Sequence, residues 1–197
     1  MNPLPTLCFA TSNKGKIIEI QKLLIDKYII LGNKEIGCLE EIPETGDTIE
    51  ENSQLKAMYI WENYKVNCFA DDTGLEVRAL NNEPGVYSAR YAGTGISEDN
   101  INLLLNKLKD KQDPSAQFKT IITLVINGNF KKFEGIATGK IIQEKRGQNG
   151  FGYDPIFVPS GYDCTFAEMS IEEKNKISHR AKAVRSLIDY LASNPLI

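Results

Sequence analysis

Thr6-Leu7-Cys8-Phe9-Ala10-Thr11-Ser12-Asn13-Lys14-Gly15-Lys16-Ile17-Ile18-Glu19 decides how this chain begins to fold. Thr6 to Ala10 is a short apolar run that reads as a buried strand. After it, Ile17, Ile20, Leu24 and Tyr28 recur at helical spacing. Strand, polar turn and helix follow one another within a few residues, which predicts an α/β architecture. The turn carries Gly15, two lysines, a pair of hydroxyls and the N–H groups of a helix start. Such a place attracts an anion, above all a phosphate chain. An ordinary βα loop with solvated lysines accounts for this segment alone equally well.

The two familiar phosphate loops are absent. No G-x-x-x-x-G-K-[ST] run exists; Gly135-Ile136-Ala137-Thr138-Gly139-Lys140-Ile141 has the wrong spacing and lacks the final hydroxyl. Gly147, Gly150 and Gly152 reverse the dinucleotide fingerprint and open no clear helix. A nucleotide site here must be of another kind.

A length of 197 residues suits one domain, residues 1–197, with room for two lobes. A net charge of −3 argues against a nucleic-acid binder that works through a basic face, while leaving room for a local cation cluster around a small anion. Cys8, Cys38, Cys68 and Cys164 are far apart, and with a single histidine in the chain a Cys/His zinc site is not expected. Buried free thiols in a reducing compartment are. No N-terminal signal segment is visible and no apolar run approaches the roughly 20 residues a membrane span needs, so the expected location is cytoplasmic, with no membrane partner.

Further along, Thr48 and Glu51 form a capping-box pattern before a helix with Leu55, Met58, Trp61 and Tyr64 on its apolar side. Asn67 to Ala70 reads as a short strand ending at Asp71-Asp72-Thr73-Gly74, and Leu75 to Leu80 can continue as strand. Ser97 to Asn100 caps a helix with Ile101, Leu104, Leu105 and Leu108 facing inward. Phe118 to Ile126 and about Phe130 to Ile142 form a hairpin about Asn127-Gly128-Asn129. Ser170 and Glu173 make a second capping box, and Ser178 caps a last helix packed through Ala181, Val184, Leu187, Ile188 and Leu191. The class is α/β with a mixed sheet.

Three segments can carry chemistry. Adjacent Asp71 and Asp72 are costly to place together without a cation or solvent. Strand alternation aims one of them into a site, and Mg²⁺, which takes few carboxylates plus waters and phosphates, would suit Asp72 with a second acid such as Glu44. A simple acidic turn is the competing reading. In Asn149-Gly150-Phe151-Gly152-Tyr153-Asp154-Pro155, glycines flank Phe151 and leave its ring open to a purine, with Asp154 as acceptor. Core aromatics at bend glycines are the alternative, more so for Tyr153. In the run Glu172 to Arg180, which includes Lys174, the pair His179-Arg180 sits in the first turn of the last helix, where cations oppose the helix dipole. Either Arg180 donates to a purine O6, or this is a solvated basic face.

In combination these segments resemble the inosine/xanthosine triphosphate pyrophosphatase family. The resemblance rests on Thr11-Ser12-Asn13-x-x-Lys16-x-x-Glu19, Phe69-Ala70-Asp71-Asp72-Thr73-Gly74-Leu75, Gly150-Phe151-Gly152-Tyr153-Asp154-Pro155 and Ser178-His179-Arg180. Glu44-Thr45-Gly46, Pro84 to Tyr91 and Ala167-Glu168-Met169 extend it over nearly the whole chain. It implies Mg²⁺-dependent hydrolysis of ITP, dITP and XTP to the monophosphate and pyrophosphate, a homodimer, and a long mixed β-sheet with flanking helices in two lobes around a central cleft. By motif, Thr11, Ser12, Asn13, Lys14, Gly15 and Lys16 would bind the triphosphate, with Lys16 the main cation. Glu44 and Asp72 would hold Mg²⁺. Asp72 would accept a proton from the attacking water with Asp71 beside it, and Thr73 would touch substrate. Phe151, Gly152, Tyr153 and Asp154 would take the base, and Lys174, His179 and Arg180 would complete the pocket. The competing readings are a Maf-type pyrophosphatase for dTTP, UTP or modified nucleotides, and a nucleotide-binding regulator without catalysis.

Overall fold

The computed structural model describes residues 4–24 and 27–194. In chain order the elements are β1 (Thr6–Phe9), α1 (Lys14–Leu24), β2 (Ile29–Leu31), α2 (Ile49–Tyr64), β3 (Cys68–Val77), β4 (Glu83–Gly85), α3 (Ser97–Leu108), β5 (Ser115–Ile126), β6 (Asn129–Ile141), β7 (Phe157–Pro159), α4 (Ile171–Ile177) and α5 (His179–Ser193). The described strands form one sheet in the order β2-β1-β3-β5-β6-β7, with β4 paired to β3. It is mixed, as expected: β1 runs parallel to β2 and β3, whereas β3/β4 and β6/β7 are antiparallel. Packing divides the chain into two compact units. One is drawn from Met1–Asp72, Ile121–Gly135 and Ala181–Ile197, the other from Thr73–Thr120 and Ile136–Arg180.

In the first unit, β1 is buried from Leu7 onward and pairs Cys8 with Cys68 and Phe9 with Phe69. The Phe9 and Phe69 rings stack at 4.7 Å in a core that also takes Ile20 and Leu24 of α1 and Val184, Leu187 and Leu191 of α5. Tyr28, expected on α1, lies beyond it and packs on the edge of this core. A second cluster gathers Cys8, Cys38, Cys68, Ala57 and Ile60. All four cysteines are free thiols, and burial pushes Cys8 and Cys68 up to about 12. In the second unit, Leu75, Val77, Ile101, Leu104, Leu108, Phe118, Ile141, Phe157 and Phe166 share one core.

Several expectations are corrected. First, β3 does not stop at Asp71. It runs through Asp71-Asp72-Thr73-Gly74 to Val77, so the two aspartates are mid-strand residues, not an acidic turn. Second, α2 buries a different face. Its Thr48/Glu51 capping box forms as expected, yet the buried stripe is Ile49, Asn52, Ser53, Lys56, Ala57 and Ile60. Leu55 is exposed, and Met58, Trp61 and Tyr64 are only partly buried. The polar members of the stripe are accommodated because they are bonded: Ser53 Oγ lies 3.1 Å from Ala70 O and 2.8 Å from Thr123 Oγ1. At α3 the cap position is Ile96, with no side-chain cap, and the helix begins at Ser97. Among the described residues no helix is long and apolar enough to cross a membrane.

Candidate active site

The turn after β1 is built by its own side chains. Asn13 N–H donates to Thr11 Oγ1 at 3.2 Å, and Lys16 N–H donates to Asn13 Oδ1 at 3.2 Å, a helix-capping bond. Ser12, Asn13 and Lys14 are exposed, and the first turn of α1 contains no acidic residue to offset the positive end of the helix. Thr11 and Asn13 therefore shape the turn, while Lys14 presents a cation at a helix N-terminus.

Lys16 points back to the strand. Its Nζ lies 2.9 Å from Asp71 Oδ1, and the Asp71 side chain is completely buried. Asp72, next along β3, is met by a different lysine. Lys56 Nζ of α2 lies 3.1 Å from Asp72 Oδ1 and 2.6 Å from Glu44 Oε1. Adjacent strand residues face opposite ways, so each aspartate is served by the helix on its own side. Burial by itself lowers the Lys56 pKa, but Asp72 and Glu44 outweigh it and hold the ammonium charged, its pKa raised. At Asp72 burial prevails over the pull of Lys56 and Lys16, with Glu44 and Asp71 adding to it, and the carboxyl has a raised proton affinity.

Glu44 and Asp72 thus meet on one ammonium. Among the described residues no three His, Cys, Asp or Glu side chains gather as a ready-made metal cage. Two carboxylates are nevertheless the donor set that suits a hard divalent cation whose remaining ligands are waters and phosphate oxygens. Lys56 escaped the sequence reading. Its signal was present: a lysine in the register of Ile49, Ala57 and Ile60, where a solvated lysine has no place.

In the second unit, Asp154 is buried and its Oδ2 accepts from Lys174 Nζ at 2.7 Å and from Phe151 N–H at 2.8 Å. Gly150 makes this possible: at φ +76°, a Cβ there would sit 2.1 Å from Asp154 Oδ2. Its absent side chain gives room to the Asp154 carboxylate, a different task from baring the Phe151 ring. That half-buried ring has Lys174 Nζ at 5.1 Å and the Arg180 guanidinium at 5.5 Å from its centroid, both within cation–π range. Arg180 Nη2 donates to Thr73 Oγ1 at 3.2 Å, and Thr73 Oγ1 is 2.6 Å from Thr120 Oγ1. Since Thr73 accepts from Arg180, its own proton is available to Thr120. Tyr153 is buried and its hydroxyl donates to Ser88 O at 3.0 Å, tying the loop to the core. The His179 ring is buried and stacks on Phe118 at 4.6 Å. Gly152 adopts a left-handed φ of +59° and completes the turn between Phe151 and Tyr153.

The structure therefore gathers the expected residues into three groups: Lys16 with Asp71; Glu44 and Asp72 about Lys56; and Phe151, Asp154, Lys174 and Arg180, with Thr73 on Arg180. Tyr153 and His179 are integrated into the aromatic core of the second unit.

The chain is also similar to known proteins. Residues 7–190 match the Ham1 family. A protein of Flavobacterium johnsoniae named dITP/XTP pyrophosphatase is 56% identical over 188 residues, covering 95% of this chain and 98% of the relative. The solved structure of the Staphylococcus aureus Ham1 protein is similar with a TM-score of 0.87 and 42% identity, over 96% of this chain and 99% of that one. A HAM1 protein from Coxiella burnetii is similar with a TM-score of 0.89 at 37% identity, over 96% and 100%. Because the match runs from the first strand into the last helix, the chain as a whole, and not one of its motifs, belongs to the Ham1 family.

Proposed function

We propose that this chain is a nucleoside triphosphate pyrophosphatase that hydrolyses deaminated purine nucleotides (ITP, dITP and XTP) to the monophosphate and pyrophosphate, clearing them from the nucleotide pool. The observation that carries the reading is the pair of adjacent buried aspartates on β3, each held by a lysine from a different helix. Fixed charges of this kind serve phosphoryl and nucleotidyl transfer, where positioning and charge neutralisation matter more than covalent help. The relatives' names support the substrate class.

In this reading residues 1–197 act as one catalytic domain, as a homodimer in the cytoplasm. The residues about β1, α1 and α2 handle the polyphosphate. Lys14 and Lys16, with the turn Thr11, Ser12, Asn13 and Gly15, bind the triphosphate, and Lys56 adds a further cation. Glu44 and Asp72 would hold Mg²⁺, which when bound supplies charge neutralisation for the phosphates. Water attacks the α-phosphorus, Asp72 takes its proton with Asp71 beside it, the bond to the bridging oxygen breaks, and pyrophosphate leaves. For the base, Phe151 stacks on it, Thr73, Gly152, Tyr153, Asp154, Lys174 and His179 shape or contact its surroundings, and Arg180 donates to the 6-carbonyl. Adenine offers an amino donor there, so a buried guanidinium loses its acceptor with ATP.

The test is pyrophosphate release with Mg²⁺ across ITP, dITP, XTP, ATP, GTP, CTP, UTP and dTTP, for wild type and Asp72→Asn. Turnover confined to the first three and lost in the variant is expected. A preference for dTTP or UTP, or full turnover in the variant, would contradict the assignment.

A further inference from the structure

Glu44 lies in a loop, and a metal-binding carboxylate on a loop needs something to hold it. The loop is held by α2. Glu51 Oε2 accepts from Asp47 N–H at 2.8 Å and Thr48 N–H at 3.1 Å, Lys56 bonds Glu44 itself, and Asn52 Oδ1 accepts from Gly46 N–H at 2.8 Å. Asn52 is fully buried, one helical turn before Lys56 on the same stripe. Gly46 is seated tightly against it: a Cβ there would lie 2.6 Å from Glu51 Cβ and 2.9 Å from Asn52 Oδ1. The Asn52 amide is oriented by this bond, since only its oxygen can accept from Gly46. Its Nδ2 is then left buried without a hydrogen-bond partner among the described residues. A buried amide that keeps one bond and forgoes another is costly to maintain, and an apolar residue would serve plain packing better.

We propose that Asn52 is a positioning residue that fixes the Glu44 carboxylate for the divalent cation by pinning Gly46. The inference rests on the assignment of Glu44 as a metal-binding residue. Residues of this kind, one step behind the coordinating group, typically change metal affinity by about 10- to 100-fold when removed. Asn52→Ala deletes the anchor; Asn52→Asp keeps an acceptor for Gly46 N–H in a similar volume. Gly46→Ala attacks the same contact from the loop side.

Mn²⁺ binding to the full chain, followed by electron paramagnetic resonance without nucleotide, gives a readout apart from turnover; the Mg²⁺ concentration for half-maximal ITP hydrolysis gives a second. Asn52→Ala and Gly46→Ala should each weaken Mn²⁺ binding and raise the Mg²⁺ requirement by about tenfold. Asn52→Asp should retain most of the affinity, and Asn52→Ala in a Glu44→Gln background should add nothing further, because both act through one carboxylate. If Glu44→Gln weakens Mn²⁺ binding while Asn52→Ala binds as wild type, or lowers only thermal stability, Asn52 has a packing role and the inference falls while the Glu44 assignment stands. If Glu44→Gln itself binds Mn²⁺ as wild type, both fall.

Discussion

Lys174→Met should be among the most destabilising single changes in the second unit. The Lys174 and Asp154 side chains are only 4% and 3% exposed and lie 2.7 Å apart. Removing one partner of such a pair leaves the other charge buried, at a cost of about 3–5 kcal/mol. Asp154 keeps the Phe151 N–H, and a hydrogen bond to a charged group is worth about 1.5–3 kcal/mol, which argues for the lower end of that range. Loss of the cation over Phe151 and Phe166, at 5.1 and 5.5 Å, acts in the opposite direction. It adds about 0.5–1 kcal/mol per ring. A net loss of about 4 kcal/mol corresponds to a fall in Tm of about 8–16 °C for a chain of this size. Thermal unfolding by circular dichroism measures it. Lys174→Met/Asp154→Asn removes both charges and should recover at least half of the lost stability, because much of the single-variant cost is the stranded carboxylate. A Tm for Lys174→Met within about 2 °C of wild type, or a double variant no more stable than the single one, would refute the reasoning.

Three further outcomes are expected. Glu40 accepts from Tyr59 and Tyr64 hydroxyls at 2.9 and 2.6 Å, which with its backbone bonds hold its carboxyl at about 2. The unfolded value is about 4.3. Because the folded pKa is depressed, the contribution is present above the unfolded value and lost as pH falls through about 2. The stability gap between wild type and Glu40→Gln should therefore shrink in acid denaturation; a gap that widens on acidification contradicts it. Cys8 and Cys68, buried with thiols at about 12, should resist alkylation in the folded protein far longer than the half-buried Cys164. Mass spectrometry of a timed iodoacetamide reaction decides this, and equal rates would be incompatible with the burial. Phe151→Ala should raise KM for ITP by about 5- to 150-fold, the equivalent of the 1–3 kcal/mol a stacked base contributes, and lower the Tm by about 2–8 °C through loss of the two cation–π contacts with Lys174 and Arg180. An unaltered KM would remove the ring from base binding.

The first βα unit was legible because the run Leu7 to Ala10 and the spacing of Ile17, Ile20 and Leu24 carry their own period. The capping boxes at Thr48 and Ser170 formed as read, since each is a local exchange of hydrogen bonds within four residues. What escaped was set by partners distant in sequence. Asp-Asp-Thr-Gly has the composition of a turn, yet β3 continues through it because Lys16 and Lys56 arrive from two helices to balance the carboxylates. Likewise the apolar-looking face of α2, through Leu55 and Trp61, lost to a stripe whose polar members are bonded to β3, β5 and the Glu44 loop. Hydrophobic periodicity cannot see such a face, because the residues that mark it are the ones a periodicity search counts as solvated. Gly150 shows the same limit: its purpose depends on Asp154 folding back on it.

Single-turnover hydrolysis of ITP in ¹⁸O-labelled water, with the products resolved by mass spectrometry and ATP as the competitor, bears most directly on the proposed chemistry. Attack at the α-phosphorus predicts one label in inosine monophosphate, unlabelled pyrophosphate, and ATP turned over at least about 100-fold more slowly. Label in pyrophosphate, release of orthophosphate with the diphosphate, or equal use of ATP would contradict it.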